Sequence, residues 1–217
     1  MNDKAEELRA VRPPKAVVFD VGNVLIEWDP RNLYRKLLPD EAAVERFLAE
    51  ICPPEWNLAQ DAGRSWADGV AEAVARHPDQ AVLIEAFDRR WRETVPGPID
   101  ANVALLRSLR TSGLPVFAIT NFSAEKWAEC LERFDFLTLF DDAVVSAHER
   151  LVKPDPRIYE VLFDRQLRPR GLAPADALFL DDSPANVAAS EALGMPAIRV
   201  TPDLDLAALL RARGLPV

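Results

Sequence analysis

Residues 17–25 read VVFDVGNVL, an apolar run that stops at Asp20 and gives way to a short loop. Four more short apolar runs follow, each succeeded by polar residues; they are VFAI at 116–119, AVV at 143–145, ALFL at 177–180 and AIRV at 197–200. Runs in which hydrophobicity is nearly continuous rather than alternating are typical of strands buried on both faces of a parallel sheet. Because helical spacing of apolar residues separates most of these runs, the sequence predicts an α/β fold with a doubly wound parallel-sheet core.

One long interval of the chain contains no strand pattern. Between residues 29 and 95 the apolar side chains recur only at helical spacing, and the chain then passes through Pro96-Gly97-Pro98. We therefore predict two domains. One is an α/β core made of residues 1–28 and 96–217, and the other is an inserted all-α domain made of residues 29–95.

The composition favours a folded cytoplasmic protein that binds neither nucleic acid nor membrane. Of its 217 residues 49% are hydrophobic, and 35 acidic against 26 basic side chains give a formal net charge of -9. Nucleic-acid binding depends largely on Lys and Arg, so this balance argues against it. The N-terminus lacks the apolar core of a signal peptide, and no segment approaches the ~20 apolar residues of a membrane span. Cys52 and Cys130 have no metal-type spacing and are expected as buried thiols.

Polar side chains follow the ends of four predicted strands. In open α/β sheets ligands bind beyond the carboxyl ends of the strands, so these side chains are expected on one rim. In chain order the polar residues are Asp20 and Asn23, with Gly22 between them, then Thr120 and Asn121, then Lys153, and finally Asp181 and Asp182. Taken singly, each has an ordinary explanation as a turn, cap or surface residue. Their occurrence in order, each behind an apolar run, favours a single site.

This set of side chains suits phosphoryl transfer. An aspartate can act as a nucleophile and become phosphorylated, and Asp20 is the candidate. Because a carboxylate and a phosphate repel each other, a divalent cation is expected between Asp20, Asp181 and Asp182, and Mg²⁺ suits such oxygen ligation. Thr120 Oγ1, the Asn121 backbone N–H and the charge of Lys153 are expected to bind the phosphate.

Four stretches of the sequence resemble the motifs of the haloacid dehalogenase superfamily: VVFDVGNVL at 17–25, AITN at 118–121, VKPDPRIYE at 152–160 and LFLDDSPANV at 178–187. The match extends over nearly the whole chain, and the helical insert resembles the superfamily's first-position α-helical cap. Most members are Mg²⁺-dependent phosphatases, and a smaller branch comprises metal-free dehalogenases of 2-haloacids. The Asp-x-Gly-Asn-Val pattern is similar to a branch that includes sugar phosphatases. The resemblance therefore implies a hydrolase with an HAD-like fold.

The resemblance also implies roles for single residues. Asp20 is the expected nucleophile, Lys153 the expected third-motif lysine, and the backbone carbonyl of Gly22 an expected metal ligand. Of the fourth-motif acids, Asp182 is expected to bind the metal directly and Asp181 through water. The implied cofactor is Mg²⁺, and the implied substrate is a small phosphorylated metabolite of sugar-phosphate type.

Residue 22 departs from the usual phosphatase pattern, in which a second aspartate there acts as general acid and base. Gly22 keeps the carbonyl but has no group that titrates. Positioned acid–base catalysis is typically worth roughly 10²–10⁴-fold in rate. We infer either a good leaving group, as in a sugar 1-phosphate, or a proton supplied by water or by a cap residue. Asn23 is a candidate for orienting a water, although it does not titrate.

Two other functions remain open on the sequence. Dehalogenases of the superfamily also lack the second aspartate, and Arg31 or Arg64 is a candidate to bind the carboxylate of a haloacid. Without a cation, the adjacent acids at 181–182 would repel an anionic substrate, which favours the phosphatase. The non-enzymatic alternative is a pseudo-enzyme that binds a phosphorylated metabolite, and Gly22 is its only support.

The cap is expected to select the substrate, because the core residues are expected to contact only its phosphate group. Trp28 and Arg31 follow the first motif closely and are predicted, with Asn23, to contact the substrate. The wider set of cap candidates is Asp29, Trp56, Asn57, Gln60, Asp61 and Arg64. The sequence leaves open their ranking, and it leaves open whether the protein is a monomer or a homodimer.

Overall fold

A computed structural model describes residues 13–217, so nearly all of the N-terminal stretch without signal-peptide character lies outside the described residues. Five strands occur in the described range: β1 (Ala16–Phe19), β2 (Val116–Thr120), β3 (Asp142–Val145), β4 (Ala177–Asp181) and β5 (Ala197–Arg199). They form one sheet in the order β3-β2-β1-β4-β5, and every pair of neighbours is parallel. The strands coincide with the five apolar runs, so the predicted α/β fold with a parallel-sheet core is confirmed.

The position of β1 in the centre of the sheet explains why its run is apolar throughout. It pairs with β2 on one side and with β4 on the other, and all four of its residues are fully buried. Val17 and Phe19 join the hydrophobic cluster on one face of the sheet, while Ala16 and Val18 join the cluster on the other face. The first polar side chain, Asp20, therefore comes where the strand leaves the core.

Helices form the rest of the main regular structure. Those between β1 and β2 are α1 (Arg31–Tyr34), α2 (Glu41–Glu50), α3 (Pro54–Asp61), α4 (Trp66–Arg76), α5 (Ala81–Arg89) and α6 (Asp100–Thr111). Those after β2 are α7 (Ala124–Arg133), α8 (Ser146–Glu149), α9 (Pro156–Leu162), α10 (Pro184–Ala192) and α11 (Leu206–Ala212). Every regular element between residues 29 and 95 is helical, as the spacing of apolar residues predicts. The division into two domains at these boundaries stays a prediction.

The helical insert leaves and rejoins the core along two adjacent stretches of chain. The Glu27 N–H donates to the Gly97 carbonyl (3.0 Å), and the Asp29 N–H donates to the Thr94 carbonyl (2.9 Å). These backbone hydrogen bonds tie both ends of the insert together, close in sequence to the loop that follows Asp20.

Cys52 and Cys130 are buried free thiols, as expected. Burial raises the pKa of each thiol to about 12, so neither carries a reactive thiolate at neutral pH. Within residues 13–217 no helix combines the length and the apolar character needed to cross a membrane.

Candidate active site

Asp20 lies at the carboxyl end of β1. Its side chain is 10% exposed, and its Oδ1 accepts hydrogen bonds from the Val21 N–H (2.7 Å) and from Lys153 Nζ (2.8 Å). Burial raises the pKa of Asp20 to about 7; Lys153 opposes this rise, and the nearby Asp181 adds to it. The result is a carboxylate that is held in one orientation and borders the cavity described below.

Lys153 bridges two buried acids. Its Nζ lies 2.8 Å from Asp20 Oδ1 and 2.7 Å from Asp181 Oδ2. Burial by itself would lower the pKa of Lys153, but the two carboxylates outweigh burial and raise it above its ordinary value. Asn121 fixes the lysine's backbone, because Lys153 N–H donates to Asn121 Oδ1 (2.8 Å) and Asn121 Nδ2 donates to the Lys153 carbonyl (3.0 Å). The loop after β2 therefore positions a charged lysine between the ends of β1 and β4.

The two adjacent acids at the end of β4 have different surroundings. Asp181 is fully buried and accepts hydrogen bonds from the Ser183 N–H (2.8 Å) and from Asn186 Nδ2 (3.0 and 3.1 Å). Asp182 is half-buried and lines the cavity. Asp181 is thus committed to protein partners, while Asp182 faces the space in which a ligand would sit.

Three carboxylates converge at this point. Asp20, Asp181 and Asp182 each offer an oxygen, and these oxygens lie within 4.8 Å of one another. Burial and the charge of Asp181 raise the pKa of Asp182, against the opposing effects of Lys153 and a hydrogen bond from Asn23. Carboxylates this close repel one another, and an all-oxygen donor set is the kind that Mg²⁺ or Ca²⁺ binds.

Thr120 and Asn121 follow β2 at the same edge of the sheet. Thr120 is 1% exposed, and its Oγ1 has no hydrogen-bond partner among residues 13–217. A buried hydroxyl without a partner costs roughly 1–3 kcal/mol, so a ligand oxygen in reach would be stabilising. Asn121 lines the cavity directly, whereas Thr120 does not.

A cavity of about 500 Å³ lies over this cluster. The core contributes the residues around Asp20, Asn121, Lys153 and Asp182, and the helical insert contributes Asn57, Leu58, Asp61, Trp66 and Trp91. Its volume is in the range of sites that enclose small molecules. The predicted rim of polar residues and the insert therefore meet around one concave site.

Two of the three predicted substrate contacts line this cavity. Asn23 adopts a left-handed backbone conformation (φ 54°), and its Oδ1 accepts from the Trp28 N–H (3.0 Å), so both residues sit at the entry to the insert. Arg31 does not line the cavity. Its Nη2 lies 2.8 Å from Glu45 Oε2, and it also pairs with Asp29. These ion pairs engage its guanidinium within the insert, where Arg31 lines a neighbouring cavity that shares Trp28, Pro54 and Asn57 with the first one. Its contact with the substrate stays a prediction.

The sequence did not single out two further residues of the site. Asn186, in the first turn of α10, holds Asp181; its place in the LFLDDSPANV stretch was the available signal. Lys126 lines the cavity but is only 4% exposed. Its Nζ lies 2.8 Å from both Asp88 and Glu129. Because lysine is usually exposed, helical spacing gives no hint of such burial.

A known family matches most of the chain. The model of the family described as hydrolase, haloacid dehalogenase-like hydrolase, matches residues 14–194. The chain belongs to the haloacid dehalogenase-like hydrolase family. The resemblance inferred from the four motifs is therefore confirmed, and so is the expectation that the protein is a hydrolase.

Relatives of this hydrolase include proteins named as phosphatases. It is 27% identical to a sesquiterpene phosphatase of Aspergillus oryzae, over 91% of this chain and 95% of that protein. It is 28% identical to a phosphoglycolate phosphatase of Pseudomonas putida, over 87% of this chain and 70% of that protein. The crystal structure of a HAD family enzyme from Bacteroides thetaiotaomicron, in complex with magnesium and inorganic phosphate, superposes with a TM-score of 0.69. That match is 20% identical and covers 90% of this chain and 98% of the other, so it shows a shared fold.

Proposed function

We propose that this hydrolase is a Mg²⁺-dependent phosphatase of small phosphorylated metabolites, in which Asp20 takes the phosphoryl group and then yields it to water. The observation that carries the proposal is the cluster of Asp20, Asp181 and Asp182, with the buried Lys153 paired to the first two of these acids. Both curated relatives described above are named as phosphatases, which supports the same reaction class.

The residues present fit a magnesium ion. The donor set is all oxygen, and burial together with the neighbouring charge of Asp181 raises the pKa of both Asp20 and Asp182, so a cation would stabilise their ionised forms. Asp20, the Gly22 carbonyl and Asp182 are the proposed direct ligands. Asp181 is proposed to act through water, because its oxygens already accept from protein donors. The bound ion would neutralise the carboxylates and polarise the phosphoryl oxygens.

The remaining groups are assigned to the phosphate. Lys153 orients Asp20 and supplies a positive charge beside it. Thr120 Oγ1 would gain the hydrogen bond it lacks by donating to a phosphate oxygen, and the Asn121 N–H would donate to another. In the second step water attacks the phosphorus, and Asp20 is released as a carboxylate.

The geometry weighs against the dehalogenase alternative. That reaction needs a cationic group for the substrate carboxylate, and no arginine of residues 13–217 lines the cavity. Its two lysines, Lys126 and Lys153, are each already paired with two acids. Arg31 is paired with Glu45, and Arg64 is paired with Glu72 and donates to the Trp56 carbonyl. Both guanidinium groups are therefore already paired with residues of the insert.

The insert, residues 29–95, is proposed as the cap that selects the organic part of the substrate. Its wall of the cavity combines the indole rings of Trp66 and Trp91 with the polar side chains of Asn57 and Asp61. Flat rings next to amide and carboxylate groups suit a sugar, so we propose a substrate of sugar-phosphate type. Alkyl and isoprenoid phosphates are the substrates to compare with sugar phosphates, because the same indole rings would also pack against an apolar chain.

A panel of phosphate esters and 2-haloacids, assayed with Mg²⁺ and with EDTA, tests the proposed function. We expect phosphate release with Mg²⁺, loss of that release in EDTA, recovery when Mg²⁺ is restored, and no halide release. Phosphate release that persists after complete metal removal would contradict the mechanism. Halide release unaffected by EDTA would favour the dehalogenase, and ligand binding without turnover on any ester would favour the pseudo-enzyme.

Magnesium is also expected to stabilise the protein in a pH-dependent manner. The pKa of Asp20 in the metal-free folded state is about 7, above its ordinary 3.8, chiefly because of burial. The folded state thus holds this proton more tightly than the unfolded state, and the stability that the proton contributes is lost as pH rises from about 4 to about 7. Because Mg²⁺ needs the carboxylate, its effect should grow over the same window.

Thermal unfolding measures this effect. At 100 times its Kd a ligand contributes about 2.7 kcal/mol, which for a chain of this size raises Tm by roughly 5–10 °C. We expect that rise at pH 8 and a much smaller one at pH 5.5. Asp182→Asn should reduce the rise, whereas the control Asp203→Asn, at an exposed position, should keep it. Equal Mg²⁺ stabilisation of wild type and Asp182→Asn would contradict the ligand assignment.

A further inference from the structure

The residues assigned so far to the proposed phosphatase reaction include no general acid. A leaving alkoxide needs a proton, and Gly22 has no side chain to supply it. Among residues 13–217, the ionisable side chains that line the cavity are Asp20, Asp61, Lys126, Lys153 and Asp182. A group suited to this task must border the cavity and must also be free of other duties.

Four of these five groups are already engaged. Asp20 and Asp182 belong to the proposed metal site, and Lys153 is held between Asp20 and Asp181. Lys126 is paired with two acids of its own, Asp88 and Glu129. Asp61 is the group that remains.

Asp61 is the last residue of α3, and the core holds it directly. Its carbonyl accepts from Ser146 Oγ (2.6 Å), at the start of α8. Its carboxylate accepts from the Ser123 N–H and, at Oδ2, from Asn57 Nδ2 (3.1 Å). Ser123 comes two residues after Asn121, so Asp61 is anchored to the loop that forms the proposed phosphate site. A residue of the insert is thus fixed over the core by hydrogen bonds to loops after β2 and β3.

We propose that Asp61 is the general acid and base of the reaction, delivered by the insert in place of the side chain that residue 22 lacks. This inference rests on the proposed phosphatase function. As Asp20 forms its bond to phosphorus, the bond from phosphorus to the ester oxygen breaks, and that oxygen keeps the electron pair and takes the proton of Asp61. Water then attacks the phosphorus and gives its proton to the Asp61 carboxylate, while the bond to Asp20 breaks and restores both acids.

The protonation state of Asp61 agrees with both steps. Burial raises its pKa to about 7; the Ser123 N–H opposes this rise, and the charge of Asp20 adds to it. An acid with a pKa near the working pH is present in both forms, which is the optimum for a group that gives a proton and later accepts one. The charged groups that border the cavity with it are Asp20 and Asp182 on the negative side, and Lys126 and Lys153 on the positive side.

The leaving group distinguishes this role from a structural one. p-Nitrophenolate leaves without a proton, whereas the alkoxide of glycerol phosphate does not. In Asp61→Asn we expect kcat/KM for glycerol phosphate to fall by roughly 10²–10⁴-fold. With p-nitrophenyl phosphate the first burst of nitrophenol should survive, and the phosphorylated enzyme should accumulate, because hydrolysis of the intermediate loses its base. Mass spectrometry of acid-quenched protein detects that species.

Glu55→Gln is the matched control, because Glu55 is an exposed carboxylate of the same helix and does not line the cavity. It should behave as wild type, and the Tm of Asp61→Asn should stay close to wild type because the amide keeps an oxygen for Ser123. Glycerol phosphate turnover within about threefold of wild type, or equal loss of turnover and burst, would overturn the inference. If wild type itself forms no phosphoenzyme on Asp20, the proposed function fails rather than the role of Asp61.

Discussion

Asp20→Asn is expected to reduce phosphate release by on the order of 10⁴-fold or more while leaving the fold intact. An amide does not form the acyl phosphate, so the covalent route is removed rather than slowed, and loss of one member of a catalytic unit commonly removes most of its effect. Lys153 keeps its contact with Asp181 in the variant, so its buried charge still has a partner.

Although Asp20→Asn should lose activity, we expect it to keep or gain thermal stability in the absence of metal. The pKa of Asp20 is raised to about 7, mainly by burial, so its ionised form is disfavoured in the metal-free fold. At pH 8 in EDTA the neutral asparagine should therefore give a Tm equal to or above that of wild type. Mg²⁺ should raise the wild-type Tm and have little effect on the variant. Retention of full activity would refute the nucleophile assignment, and a lowered Tm in EDTA would show that Asp20 is structural.

The core of this site was predictable because parallel strands end at one edge of a sheet. Asp20 is more than a hundred residues away from both Lys153 and Asp181 in sequence, yet the sheet order places β1 beside β4 and the loops bring all three together. Apolar runs identified the strands, and polar residues at or downstream of the ends of four of them identified the site.

The insert was less predictable, because helical spacing shows which face is buried but not what that face meets. The sequence offers Arg31 as a substrate contact, but it does not reveal that Arg31 pairs with Glu45, fourteen residues away. Asp61 was one of several equivalent cap candidates, and its place in the cavity wall and its hydrogen bonds with Ser123 and Ser146 separate it from them. Trp56 and Trp66 pack edge-to-face (5.6 Å between ring centroids), which makes them part of the insert's core, although Trp66 also borders the cavity.

Lys153→Met is expected to produce the largest loss of stability in the active site, together with loss of activity. The lysine is 1% exposed and is the positive group between Asp20 and Asp181, so its removal leaves two buried carboxylates facing each other. Breaking a buried ion pair by removing one partner typically costs roughly 3–5 kcal/mol, which corresponds to a fall in Tm of roughly 6–20 °C for a chain of this size. The loss should be largest near pH 8 and should shrink toward pH 5, because protonation removes the repulsion.

A second substitution separates this electrostatic effect from lost packing. In Lys153→Met/Asp181→Asn one of the two stranded charges is gone, while Asn186 and the Ser183 N–H can still bond the amide oxygen. Urea unfolding in EDTA should therefore find the double variant more stable than Lys153→Met alone, although both remain inactive. If the two substitutions simply added their costs, the lysine would be acting through packing, and the repulsion between Asp20 and Asp181 would not be what it relieves.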